Sequence, residues 1–120
     1  MSKKYNNGCI LVDLDGTLAH HDQYMGATFI GEPIKPMVDR VKRWLNKGIK
    51  VKIFTARSNP TDPSSKQAIP AIKEWSKKIF GQELEVCCDK DYTAWQIWDD
   101  RAVQIIPNTG LRADGKDDEF

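Results

Sequence analysis

Residues 8–14, GCILVDL, form an almost unbroken apolar run behind Asn6 and Asn7, and the run stops at Asp15-Gly16. A strand with one wet face alternates apolar and polar residues, whereas an unbroken run is what a strand buried on both faces requires. This run therefore constrains the fold more than any other feature. A second strand is expected over residues 49–55, IKVKIFT, which alternates and then turns apolar before a loop rich in Pro, Ser, Asn and Asp.

Between these strands, Ile34, Met37, Val38, Val41, Trp44 and Leu45 recur at helical spacing, with Arg40, Lys42, Arg43 and Lys47 on the rest of the wheel and Gly48 as the stop. A second helix is predicted from Ser64 or Ser65, either able to cap it, through Ile69, Ile72, Trp75 and Ile79 to Phe80, closing at Gly81. Pro70 must then lie in or near the first turn, or kink the helix. Short strands are expected at 84–88, 96–99 and 102–106, with a turn or short helix at 89–95. The stretch 16–33 reads as loop, with YMGATFI as a possible hairpin. This order predicts a three-layer α/β/α sandwich around a mostly parallel, Rossmann-like sheet with no large cap domain.

One domain over 1–112 and a frayed acidic tail at 113–120 fit a chain of 120 residues. A net charge of +1 supplies no general field for gripping a polyanion. Cys9, Cys87 and Cys88 are odd in number, two of them adjacent, which favours a reducing compartment over a disulfide framework. His20 and His21 are adjacent and unaccompanied by a CxxC, so structural zinc is not expected. With no apolar stretch near the ~20 residues that span a bilayer, and no cleavable leader pattern, the expectation is a cytoplasmic protein without membrane contact.

In open α/β sheets, ligands collect beyond the carboxyl ends of the strands, where Asp13, Thr55 and Asp99 are placed. Asp13 and Asp15 flank a turn, so one carboxylate can attack while the other handles a proton. An aspartate nucleophile suits phosphoryl transfer, because it divides a difficult hydrolysis into formation and breakdown of an acyl phosphate. A phosphate dianion beside Asp13, Asp99 and Asp100 totals about five negative charges against the two of Lys90 and Arg57, a deficit that a divalent cation would offset. Carboxylate and water oxygens are the ligands Mg²⁺ prefers.

The sequence Asp13-Leu14-Asp15-Gly16-Thr17-Leu18 resembles the first motif, DxDGT, of the haloacid dehalogenase-like phosphohydrolases. Phe54-Thr55 resembles their second motif, Lys90 their third-motif lysine and Trp98-Asp99-Asp100 their acidic fourth motif, all in the family's order over residues 9–100. The resemblance implies that Asp13 is the nucleophile and Asp15 the general acid and base. It further implies that Thr55 holds a phosphoryl oxygen and Lys90 neutralises charge. Mg²⁺ would be bound by Asp13, Asp99, Asp100 and the Asp15 carbonyl, and Gly16, Thr17, Thr55, Ala56, Arg57 and Lys90 would meet the substrate.

Lys66, Lys73 and Lys77 compete with Lys90 for the third-motif role, and neither loop is long enough for a large cap. Such an open site suits a substrate attached to something large, or a cap from another subunit in an oligomer.

Each of these residues also has a plainer role. Asp13 and Asp15 can cap a turn, and Asp99 and Asp100 can pair with Arg101. Arg57 can grip a substrate phosphate, or pair with Asp62 or a loop carbonyl. His20, His21 and Glu32 lie in the loop that would overhang the site. Trp44 and Trp75 are expected in the core, while Trp95 and Trp98 flank the fourth motif and one can border the substrate. The expected activity is Mg²⁺-dependent hydrolysis of a phosphate monoester: a nucleotide, a sugar phosphate or a nucleic-acid 3′ end. The alternative is a non-catalytic or receiver-like phosphate-binding module.

Overall fold

In the computed structural model of the chain, residues 8–116 are described; the ends of the predicted amino-terminal stretch and acidic tail, 1–7 and 117–120, lie outside them. Strand β1 (Cys9–Asp13) is buried along its first four residues and pairs in parallel with both β2 (Val51–Phe54) and β4 (Ala94–Trp98). The unbroken apolar run thus occupies an interior strand. Strand β3 (Glu85–Cys87) pairs in parallel with β2, giving the order β3-β2-β1-β4.

Helix α1 (Lys35–Asn46) begins beside Pro36, whose fixed φ suits a first turn, and ends before Gly48, which takes a φ of 79°. Helix α2 (Ser65–Phe80) ends on Gly81 in the left-handed conformation. Pro70 is its sixth residue, inside the helix and past the first turn. The predicted serine cap is not made. The Ser64 hydroxyl donates instead to Asp62 Oδ1 at 2.7 Å, and Ser65 is already helical. Ser76 ties the far end of α2 to the sheet: its buried hydroxyl donates to the Lys73 carbonyl and accepts from the Leu84 amide.

Ile10, Val12, Val51 and Ile53 form one apolar cluster with Met37, Val38 and Val41 of α1 and Ala68 and Ile72 of α2. Residues of opposite parity look the other way. Lys52, whose side chain is 13% exposed, reaches Asp91 at 2.7 Å and Glu85 at 3.0 Å, so the β3–β4 connection lies over that second face. Among the described residues the architecture is a compact α/β fold with an all-parallel four-stranded sheet, two α-helices and no large cap domain, consistent with three layers. No helix among the described residues is long and apolar enough to cross a membrane.

Two predicted elements differ. The strand expected at 102–106 is reduced to a single antiparallel bridge between Ile105 and Arg112, where the chain turns back on itself without joining the sheet. The hairpin expected around YMGATFI contains no strand; the 16–33 loop closes at its base instead, through the Ala19–Pro33 bridge and the His20 amide on the Glu32 carbonyl at 2.8 Å. At the start of the tail Arg112 pairs with Asp114 at 2.8 Å. Trp44 and Trp75 pack on the core as expected, and so do Trp95 and Trp98: Trp98 meets Trp44 edge to face at 5.2 Å, with the Arg40 guanidinium 4.8 Å from its ring.

Candidate active site

The carboxyl ends of β1, β2 and β4 converge on one cavity of about 680 Å³. Asp13 is the last residue of β1, and the chain then folds into a tight turn in which the Leu18 and Ala19 amides both donate to the Leu14 carbonyl. Gly16 sits in this turn with a φ of 87°, and a Cβ there would lie 2.5 Å from Asp100 Oδ2. Backbone conformation and the close approach of Asp100 each demand glycine. Thr17 stitches the two acidic segments together. Its hydroxyl accepts from the Asp100 amide at 3.1 Å and lies 3.3 Å from both Asp13 Oδ2 and Asp100 Oδ1, to either of which it can donate.

Carboxylate oxygens of Asp13, Asp99 and Asp100 all lie within 4.8 Å of one another. This crowding is felt by Asp13. Burial first, then its hydrogen bond with Asp100 and the charges of Asp99 and Asp100, raise its pKa from 3.8 to about 7, against a lowering by the Thr17 hydroxyl. The donor set is entirely hard oxygen and carries uncompensated negative charge, which fits a cation such as Mg²⁺.

The partner of Asp15 is Arg57, a pairing not among those the sequence suggested for that arginine. Arg57 donates from Nε to Asp15 Oδ2 at 2.8 Å and from Nη2 to Oδ1 at 3.0 Å, a bidentate pair. Its Nη1 turns to the overhanging loop and donates to the carbonyls of Gly26, Ala27 and Phe29, the last at 2.7 Å. The loop-carbonyl alternative for Arg57 is therefore realised and the Asp62 one is not. With its side chain only 10% exposed, the guanidinium joins the Asp15 carboxylate to the loop above it. The ring of Tyr24 lies 5.9 Å away.

Thr55 is buried at the end of β2, where its Oγ1 accepts from the Arg57 amide and caps the short 3-10 turn Ala56–Ser58. That role leaves its own proton available to another acceptor. His21 Nδ1 lies 3.6 Å from Asp15 Oδ1, whereas His20 turns outward to Asp22. Lys90 lines a neighbouring cavity that shares Phe54 and Asp99 with the acidic one. Lys73 and Lys77 border a shallow cavity on α2, and Lys66 is exposed on its first turn. Among the described residues the cations lining the acidic cavity are Arg57 and Arg101, with Cys88, Asp89 and Asn59 also on its wall. The Arg101 amide donates to Asp99 Oδ1 at 2.8 Å.

No protein-family model matches the chain, and no curated protein does. One solved structure, described as that of a conserved protein coded by a locus from Bacteroides thetaiotaomicron, is similar with a TM-score of 0.56 and 25% identity, over 86% of this chain and 84% of that one. The likeness extends over most of both chains and supports the α/β fold.

Proposed function

We propose that this chain is a Mg²⁺-dependent phosphatase of the haloacid dehalogenase-like type, hydrolysing a phosphate monoester through an aspartyl-phosphate on Asp13. The observation that carries the reading is the meeting of Asp13, Asp99 and Asp100 within 4.8 Å, with Asp15 one turn beyond the nucleophile. A structural acidic turn has no need to gather carboxylates from two strands separated by more than 80 residues.

Asp13, Asp99, Asp100 and the Asp15 carbonyl would hold the metal. When bound, it supplies positive charge that offsets the crowded carboxylates and the phosphate. In the first step an Asp13 carboxylate oxygen attacks phosphorus, the ester P–O bond breaks, and Asp15 gives its proton to the departing oxygen. In the second, Asp15 takes a proton from water as that water attacks the acyl phosphate, releasing inorganic phosphate and restoring Asp13. Arg57 pairs with Asp15 in its carboxylate form, the form that takes the proton from water. While Asp15 carries a proton, the three loop carbonyls keep the guanidinium in place. Thr55 offers its hydroxyl to a phosphoryl oxygen, and Arg101 or Lys90 supplies the remaining positive charge.

The test is steady-state hydrolysis of 4-nitrophenyl phosphate by purified protein with Mg²⁺ and with EDTA. Many turnovers per enzyme with Mg²⁺ and none with EDTA are expected; no release of phosphate beyond one equivalent would reject the reading in favour of a receiver-like or binding module.

A further inference from the structure

Next to the acidic cavity lies a second one of about 300 Å³, formed by the overhanging loop, and His21 lines both. Its wall is apolar where Met25, Phe29 and Ile30 stand, and acidic at Asp22 and Glu32; among the described residues no Lys or Arg lines it. Met25 and Phe29 are 56% and 50% exposed, a large apolar surface to leave in water beside a polar site.

We infer that this cavity receives the leaving group of the substrate, and that the leaving group is an uncharged, ring-bearing alcohol rich in N–H or O–H donors, of which a single nucleoside is the type, and not a polyanion. The inference rests on the phosphatase reading for its chemistry, because Asp15 must reach the departing oxygen. Asp15 is the carboxylate that faces His21 and, through Arg57, the carbonyls of residues 26, 27 and 29. The group that leaves with the proton of Asp15 therefore departs on the loop side.

Three features of that side select its occupant. Exposed Phe29 and Met25 favour a flat apolar body, and the volume suits one ring system. Glu32, and Asp22 beside His20, accept hydrogen bonds and repel a second phosphate, with no arginine or lysine among the described residues of the wall to offset them. The loop itself is already clamped by Arg57, so the pocket is standing before substrate arrives. A continuing polynucleotide, with a phosphate on every residue, is disfavoured by the same acids.

The experiment compares kcat/KM of the full chain, with Mg²⁺, on a nucleoside 3′-monophosphate, the matching 3′,5′-bisphosphate, a 3′-phosphorylated oligonucleotide and methyl phosphate. In parallel, binding of the unphosphorylated nucleoside is followed by saturation-transfer NMR. The monophosphate is expected to exceed the bisphosphate and the oligonucleotide by roughly tenfold or more, with Asp22→Asn plus Glu32→Gln narrowing that gap. Phe29→Ala should cost the nucleotide roughly tenfold more than it costs methyl phosphate, and weaken nucleoside binding. Equal or better use of the bisphosphate, or a Phe29→Ala loss as large for methyl phosphate as for the nucleotide, would overturn the inference. If no ester turns over, the phosphatase reading fails; nucleoside binding sensitive to Phe29→Ala would then still support the pocket, and its absence would remove that too.

Discussion

Replacing Asp13 by Asn should make the metal-free protein more stable while destroying its activity. In the folded chain Asp13 is raised from 3.8 to about 7, chiefly by burial and then by Asp100 and Asp99. A carboxyl raised on folding binds more protons in the native state than in the unfolded chain. Its neutral form thus contributes stability in full below about pH 4, and this is lost as the pH rises from about 4 through 7. Three pH units at ~1.4 kcal/mol each set a ceiling of about 4 kcal/mol. Asp13 lines an open cavity, and screening by water reduces the figure to about 2 kcal/mol. Asn is neutral at every pH and escapes that loss. Equilibrium denaturation in EDTA should show the two proteins alike near pH 4, with Asp13→Asn ahead by about 2 kcal/mol at pH 8. An Asn variant no more stable than wild type at pH 8, or ahead by the same margin at every pH, would refute the reasoning that burial and the neighbouring acids raise Asp13.

Arg57→Ala should lower kcat by at least ~100-fold, the scale of misplaced acid–base catalysis, with KM changed less; pre-steady-state kinetics will locate the loss in the proton-transfer steps. Gly31→Ala would drive a Cβ into the His20 carbonyl, so the base of the loop must shift; about 1–3 kcal/mol of stability should be lost on thermal unfolding. Lys52→Met should lower the melting temperature at neutral pH. Its hydrogen bond to Asp91 holds that carboxyl well below the ordinary range, so the contribution is present above about pH 4 and is lost as the pH falls below it, where the two proteins should converge. Ile72→Ala, emptying a fully buried site between α2 and the sheet, should cost about 3 kcal/mol in chemical denaturation.

Which parts of this molecule were legible in the sequence follows from how local their causes are. The run at 8–14 announced the central strand because burial on both faces leaves no polar positions, and Gly48 and Gly81 marked helix ends because a left-handed residue is needed there. Ser64 misled because its hydroxyl had a nearer partner in Asp62, and a cap is a competition for one oxygen. The apolar residues at 103, 105 and 106 resembled a strand, yet among the described residues their ladder pairing is the isolated Ile105–Arg112 bridge, outside the sheet, and they remain exposed. Strand β4 starts at Ala94, earlier than expected, where Gly8 permits the Trp95 indole to pack closely against the chain.

Of the site, the acids and Thr55 were readable because strand ends place them on one edge. The union of Arg57 with Asp15 was not, since its partner is 42 residues away and only the folded loop supplies the three carbonyls that orient it. Lys90 precedes β4, and the β3–β4 connection sets it in the cavity that shares Phe54 and Asp99 with the acidic one.

The proposed activity depends on Asp13 becoming the temporary carrier of a phosphoryl group. Asp15→Asn enzyme, mixed with an aryl phosphate whose leaving group needs no proton, should accumulate that species. After acid quenching and proteolysis, mass spectrometry should find one phosphoryl group on the peptide containing Asp13, present with Mg²⁺ and absent with EDTA. Ester hydrolysis with Asp13 unmodified, or a phosphoryl group on another residue, would contradict the account.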